Sequence, residues 1–240
     1  DPLLVYAEPY NTLIVDKNGF RNQIPLVSGL SPKENIKAWV DRKAFIHNLG
    51  HAVAAYYGFF KYPGKRYLYE VLEDPDVKEY TKQVMLQSAT ILEALYPCDF
   101  TMKDLEAHIS DLLFRFRNRA LKDTLYRVGQ DRPRKLGPDD RFVGIIRLAR
   151  QKGMACGKIL EAMAYGVGKE IGCMLAVLEG KADAVILTGG MAYNELIVNY
   201  ITKMINPMCK VVVYPGEDEM SALALAGLRA LRGEETVKAY

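Results

Sequence analysis

The sequence is poor in the residues that usually announce a special chemistry. It has four cysteines, Cys98, Cys156, Cys173 and Cys209, and no two stand as a Cys-x2-Cys pair. That excludes a zinc ribbon and a disulfide framework, and predicts reduced core thiols of a cytoplasmic protein. Only three histidines are present, too scattered to suggest a metal cluster, so no metal is expected. No apolar run reaches membrane-spanning length and no signal peptide opens the chain. The formal charge of +3 is too small to imply nucleic acid or an anionic membrane as partner. No Gly-x-Gly-x-x-Gly follows a strand pattern, and no Ser nucleophile elbow occurs. Gly153-Met154-Ala155-Cys156-Gly157-Lys158-Ile159 is one residue short of a phosphate loop and lacks its hydroxyl.

What is present is a helical grammar. Leu3–Ala7 and Thr12–Val15 read as two short strands. Ser31, Pro32 and Glu34 spell a capping box that predicts a helix from Pro32 towards Tyr57. Gly58 to Gly64 reads as a turn. Asp74-Pro75 opens a second helix that Tyr96-Pro97 closes, and Thr101 with Asp104 opens a third. In the third, Leu105, Ile109, Leu112, Leu113 and Phe116 fall at core spacing.

Inside the first helix, Asp41 to His51 carries a Lys-x4-Asn-x2-His pattern: Lys43, Asn48 and His51. At about 100° per residue, Lys43, His47 and His51 share an arc of roughly 80°, with Asn48 at its edge. An amine there can take a proton from an alcohol, and a carboxamide and an imidazole can hold the oxyanion. A solvated lysine with two packing histidines is the plain alternative. Downstream, 115–141 holds nine Arg or Lys, which suits either a solvated loop or an anion site.

Lys43 to Ala52, Asn118 to Asp123 and Arg127 to Leu136 together resemble the polyol-specific long-chain dehydrogenases, in their mannitol-1-phosphate 5-dehydrogenase branch. The resemblance covers about 1–153. It implies a mainly helical domain like the C-terminal domain of 6-phosphogluconate dehydrogenase, with Lys43 as general base and Asn48 and His51 on the substrate oxygen. It also implies NAD, and hydride transfer between mannitol 1-phosphate and fructose 6-phosphate. Arg134 and Lys135 are the candidates for substrate contacts. Burial and nearby cations such as Arg42 or His51 are expected to lower the Lys43 pKa, so that the neutral amine can act as a base near neutrality. Since no dinucleotide turn is present, that domain is expected from elsewhere, as a missing N-terminal part or another chain, and a homo-oligomer is a separate alternative.

After Gly153 the pattern changes. A helix over Ile159–Leu178 precedes two buried-strand runs, Ala184–Leu187 and Val211–Tyr214, with helices after each. This order predicts an α/β segment with a short parallel sheet over 154–240. A Gly-Gly after a buried strand is usually a tight turn, and it also admits a ligand close to the backbone. Leu187 to Asn194 and Val213 to Met220 resemble butyrate kinase, of the acetate kinase group with an actin-like ATPase fold. That resemblance implies half of such a domain, with Gly189, Gly190 and Asn194 against the adenosine of ATP. A dehydrogenase domain, an acyl kinase fragment and a non-catalytic fusion or artificial chimera are thus the three readings.

Overall fold

A computed structural model describes residues 12–216 and 219–234. The strand expected at Leu3–Ala7 lies outside the described residues. The chain divides into two compact units, Asp1–Val167 and Gly168–Tyr240. The first is a helical domain and the second a small α/β segment. The break expected after 153 is the turn between two helices, where Gly153 takes a φ of +65°.

In the first unit, β1 (Leu13–Asp16) and β2 (Leu30–Lys33) pair in parallel, Leu13 opposite Leu30. β2 corrects the expected helix start. Ser31 and Pro32 are strand residues, and the helix begins at Ile36 after Asn35. The capping box is overruled because Glu34 is held elsewhere. Its carboxylate pairs with Lys17, and its carbonyl accepts from the Asn18 amide at 2.9 Å. Local capping is worth only about 1 kcal/mol, and a strand ladder with side-chain anchors outweighs it.

α1 (Ile36–Arg42) then runs through a π-helical segment, Lys43–Asn48, into α2 (Leu49–Lys61). The helix reaches Lys61 and not Tyr57. Lys61 is tied to Asp74 at 3.1 Å and Asp76 at 2.7 Å, which holds the last turn against the next long helix. A short α3 (Leu68–Val71) follows, which the turn-rich sequence there did not suggest. Next comes α4 (Pro75–Leu95), capped by Asp74, whose carboxylate accepts from the Asp76 and Val77 amides. α5 (Met102–Arg115) is capped by Thr101. α6 (Leu125–Gly129), α7 (Arg132–Lys135) and α8 (Val143–Gln151) lead to α9 (Gly157–Val177), within which the two units divide.

The core centres on α2 and α4. Leu49, Val53, Ala54 and Tyr56 bury against Val84, Met85, Ile91 and Leu92, all at most 1% exposed. Close approach is built in by glycine. A Cβ on Gly58 would lie 2.5 Å from Val71 Cγ2, and one on Gly50 would lie 2.4 Å from Met85 Sδ. The third-helix stripe is as expected, with Leu105, Ile109 and Leu112 fully buried.

In the second unit, β3 (Val185–Gly189) and β4 (Val211–Pro215) form a parallel pair joined through α10 (Glu195–Ile205), and α11 (Glu219–Leu231) follows. α10 buries Ile197, Ile201 and Ile205, one turn apart each. None of the four cysteines forms a disulfide. Cys156 and Cys209 are buried and Cys173 half-buried, but Cys98 is exposed beyond α4, so it is not a core thiol.

Candidate active site

The π segment is what shapes the site. A π turn closes i to i+5, so Lys43 and Asn48 lie one turn apart along the helix. A straight α-helix would splay them by roughly 140°. The Leu49 N–H bonds to the Ala44 and Ile46 carbonyls and passes over that of Phe45. The bypassed Phe45 carbonyl accepts instead from Ser88 Oγ of α4, at 2.6 Å in a buried setting. Arg141 supplies a second tie. Its guanidinium donates to the Asn48 carbonyl at 3.2 Å while its Nε holds Asp140 at 2.7 Å. Side chains from two other elements therefore hold the widened turn in place.

Around this turn the expected residues go to different places. Lys43 is exposed and lines a cavity of about 330 Å³ with Trp39, Arg42, His47, His108 and Arg115. Asn48 is half-buried and lines a second groove, of about 380 Å³, with Arg134, Asp139, Asp140 and Arg141. His51 faces Asp123, with Nε2 at 3.2 Å from its Oδ2, and stacks on Phe116 at 4.8 Å between ring centres. That 3.2 Å approach is off-line for a full hydrogen bond, since His51 Nε2 has no aligned partner. The Asp123 carboxyl is nevertheless held below the usual range, first by His51 and then by Arg127. Its backbone is pinned, because the Leu68 N–H donates to the Asp123 carbonyl at 2.8 Å.

Arg134 pairs with Asp131 and lies 3.8 Å from Asp140. Lys135 is turned inward, only 5% exposed, and donates to the Val128 carbonyl. Burial, with Arg141 and Arg134 nearby, pushes its ammonium down to about 8. In the second unit, Gly189 has a φ of +85° and exchanges backbone hydrogen bonds with Gly216, at 3.0 and 3.2 Å. Gly190 opens the following 3-10 turn, and the Asn194 side chain caps α10 by accepting from the Ile197 amide at 3.3 Å.

Chain folding also gathers groups that no motif marked. His47 and His51 both meet Phe116, and His108, outside the motif, joins His47 in the lining of the Lys43 cavity. His108 stands on α5, far from the Lys-x4-Asn-x2-His pattern, and only its place beside the core stripe hinted at its direction. Burial first, and then His51, Arg115 and Lys43, hold His47 down at about 4. Burial, Arg42, His47 and Arg115 hold His108 at about 3. Both are neutral at pH 7. Among the described residues no three His, Cys, Asp or Glu side chains converge as a metal-ligand set.

The mannitol dehydrogenase C-terminal domain family matches residues 35–168, more than half of the chain, and the chain belongs to that family. The match and the first compact unit end together, at 168 and Val167. The butyrate kinase resemblance of the residues beyond has no support from it.

Proposed function

We propose that this chain carries the substrate half of a sugar-alcohol phosphate dehydrogenase acting between mannitol 1-phosphate and fructose 6-phosphate. The observation that carries the reading is the π turn, which sets Lys43 and Asn48 about one turn apart, each at its own groove, so that an oxygen held between the two grooves would reach both. Lys43, as the neutral amine, takes the carbinol proton. The Asn48 amide donates to the oxygen as charge develops on it. His51 shares the oxygen through Nδ1, since Nε2 is directed at Asp123. NAD supplies the hydride acceptor when bound.

The first unit's residues fit the substrate side of such a site and not the dinucleotide side. The Gly-Gly turn after a parallel strand, Gly189 and Gly190, is in the second unit, away from Lys43 in the chain. A separate dinucleotide-binding domain would hold the cofactor and close over the exposed Lys43, removing its amine from water. Positioning of this kind is worth on the order of 7–11 kcal/mol, so the 240 residues alone should give no steady NADH.

The test is kinetic. With a dinucleotide-binding domain joined ahead of residue 1, Lys43→Ala should lower kcat by about 10²–10⁴ with little change in KM. A kcat near that of the parent would show Lys43 to be a solvated surface lysine.

A further inference from the structure

We propose that Asp123 is a positioning residue for His51: its carboxylate keeps a proton on Nε2, so that the ring takes up and releases protons at Nδ1. What Nδ1 meets rests on the dehydrogenase reading; the place of the proton on the ring does not.

The carboxylate is held from both sides. Asp123 stands just before Thr124, the N-cap of α6. Its carbonyl accepts from the Leu68 N–H at 2.8 Å, and the Leu125 N–H donates to the Arg66 carbonyl at 2.9 Å. Between these bonds Tyr67 and Thr124 form an antiparallel bridge, so the backbone around Asp123 is tied to the start of α3. The side chain is divided between two partners. Oδ1 accepts from the Arg127 guanidinium, four residues on, and Oδ2 lies 3.2 Å from His51 Nε2.

The imidazole is held as well. Phe116 stacks on it at 4.8 Å between ring centres, with the planes 25° apart. Nε2 is covered from water and has no aligned partner among the described residues, while the His51 side chain as a whole is 21% exposed. The accessible part of the side chain therefore lies away from Nε2. A polar nitrogen shut off from water must bond to what it faces. An ionised carboxylate can only accept. Because Asp123 is held below the usual carboxylate range, it is ionised at neutral pH. A bare Nε2 would set its lone pair against that charge, whereas an Nε2–H needs only a small tilt to donate to Oδ2.

Nδ1 is then the position that switches. Bare, it accepts from a hydroxyl; protonated, it donates to an alkoxide or carbonyl oxygen with a full charge behind the bond. The carboxylate opposite balances that charge, as carboxylates do for paired imidazoles. Asparagine at 123 separates this role from packing. It has the shape of aspartate, but Arg127 can only donate and so claims the amide oxygen. The NH2 group then faces Nε2, which must accept, and the neutral ring carries its proton on Nδ1.

Nitrogen-15 NMR of the full chain reads the two tautomers directly, and with three histidines in the chain the His51 signals can be assigned by substitution. At a pH where the rings are neutral, His51 of the parent should carry its proton on Nε2. Asp123→Asn should move it to Nδ1, and Asp123→Ala should leave a mixture. Adding Arg127→Gln to Asp123→Asn frees the amide to turn and should also give a mixture. A bare Nε2 in the parent, or one tautomer common to the parent and Asp123→Asn, would overturn the assignment. If Asp123→Asn fails to fold, Asp123→Ala decides, and a ring that keeps the parent's single tautomer there overturns it equally. In the enzyme with a dinucleotide-binding domain joined, Asp123→Asn should lower kcat on mannitol 1-phosphate by about tenfold or more with little change in KM, because a neutral N–H replaces a charge-assisted one. A moved proton with parental kcat would remove Nδ1 from the reaction. No hydride transfer by the joined parent, with the tautomers as stated, would sink the dehydrogenase reading and leave the Asp123 assignment standing. Hydride transfer with an unmoved tautomer in Asp123→Asn would do the reverse.

Discussion

His47 and His108 set the acid stability of the site. Their folded-state pKa values, about 4 and about 3, lie below the ordinary histidine value. The unfolded chain therefore takes up protons at a higher pH than the folded one. Their contribution is complete above about pH 6.5 and is lost as pH falls towards 4 and then 3. Urea unfolding at pH 7 and at pH 4.5 should differ by on the order of a few kcal/mol from this source. Replacing both by asparagine should flatten that dependence, and an unchanged slope would place the histidines in water. Asp123 acts at lower pH. Its pKa is depressed by His51, so its contribution holds above the ordinary aspartate value and falls only in stronger acid.

At the scale of the element, the π segment is the feature most worth breaking. Ser88 is fully buried, and its hydroxyl serves the Phe45 carbonyl that the widened turn leaves aside. Ser88→Ala removes the donor and leaves a buried acceptor facing apolar neighbours, at about 1–3 kcal/mol. Ser88→Thr keeps the hydroxyl and should recover part of it. Equilibrium unfolding measures the loss. Parental stability in Ser88→Ala would mean that the turn satisfies its own backbone. Neither Ser88 nor Arg141 carries a motif, because a donor to a bypassed carbonyl is chosen by position and not by pattern. The long helices were far easier to read. Asp74-Pro75 and Thr101 start α4 and α5 as their capping chemistry requires, since those caps depend on residues three or fewer apart. The Ser31 capping box failed by the same logic, as distant Lys17 and Asn18 took Glu34.

For the whole molecule, the two units are expected to differ in what they bind. In the second, the Gly189 backbone is already paired with Gly216 and the Asn194 side chain is occupied as a cap. Neither leaves its strongest polar group for an adenosine. ATP should bind no more tightly than about 1 mM, near −4 kcal/mol, with little dependence on magnesium. Calorimetry or amide shifts around Gly189 would show it, and micromolar, magnesium-dependent binding would restore the kinase reading. Among the described residues no helix is long and apolar enough to cross a membrane.

The sequence by itself determined the elements whose signals are local. These are the capped helices α4 and α5, the spacing of the α5 stripe, the strands β3 and β4 and the dehydrogenase-like text around Lys43. Such signals act over one helical turn or one strand, so they survive in the unfolded chain. The tertiary structure alone decided the rest. It inserted the π turn from Lys43 to Asn48, because Ser88 and Arg141 accept its cost from 43 and 93 residues away. It set β2 where a helix start was written. It carried His108 and Arg115 to the cavity that Arg42 and Lys43 line, and it turned Lys135 inward to Val128. Each of these depends on which groups meet after folding, and burial then fixes their charge.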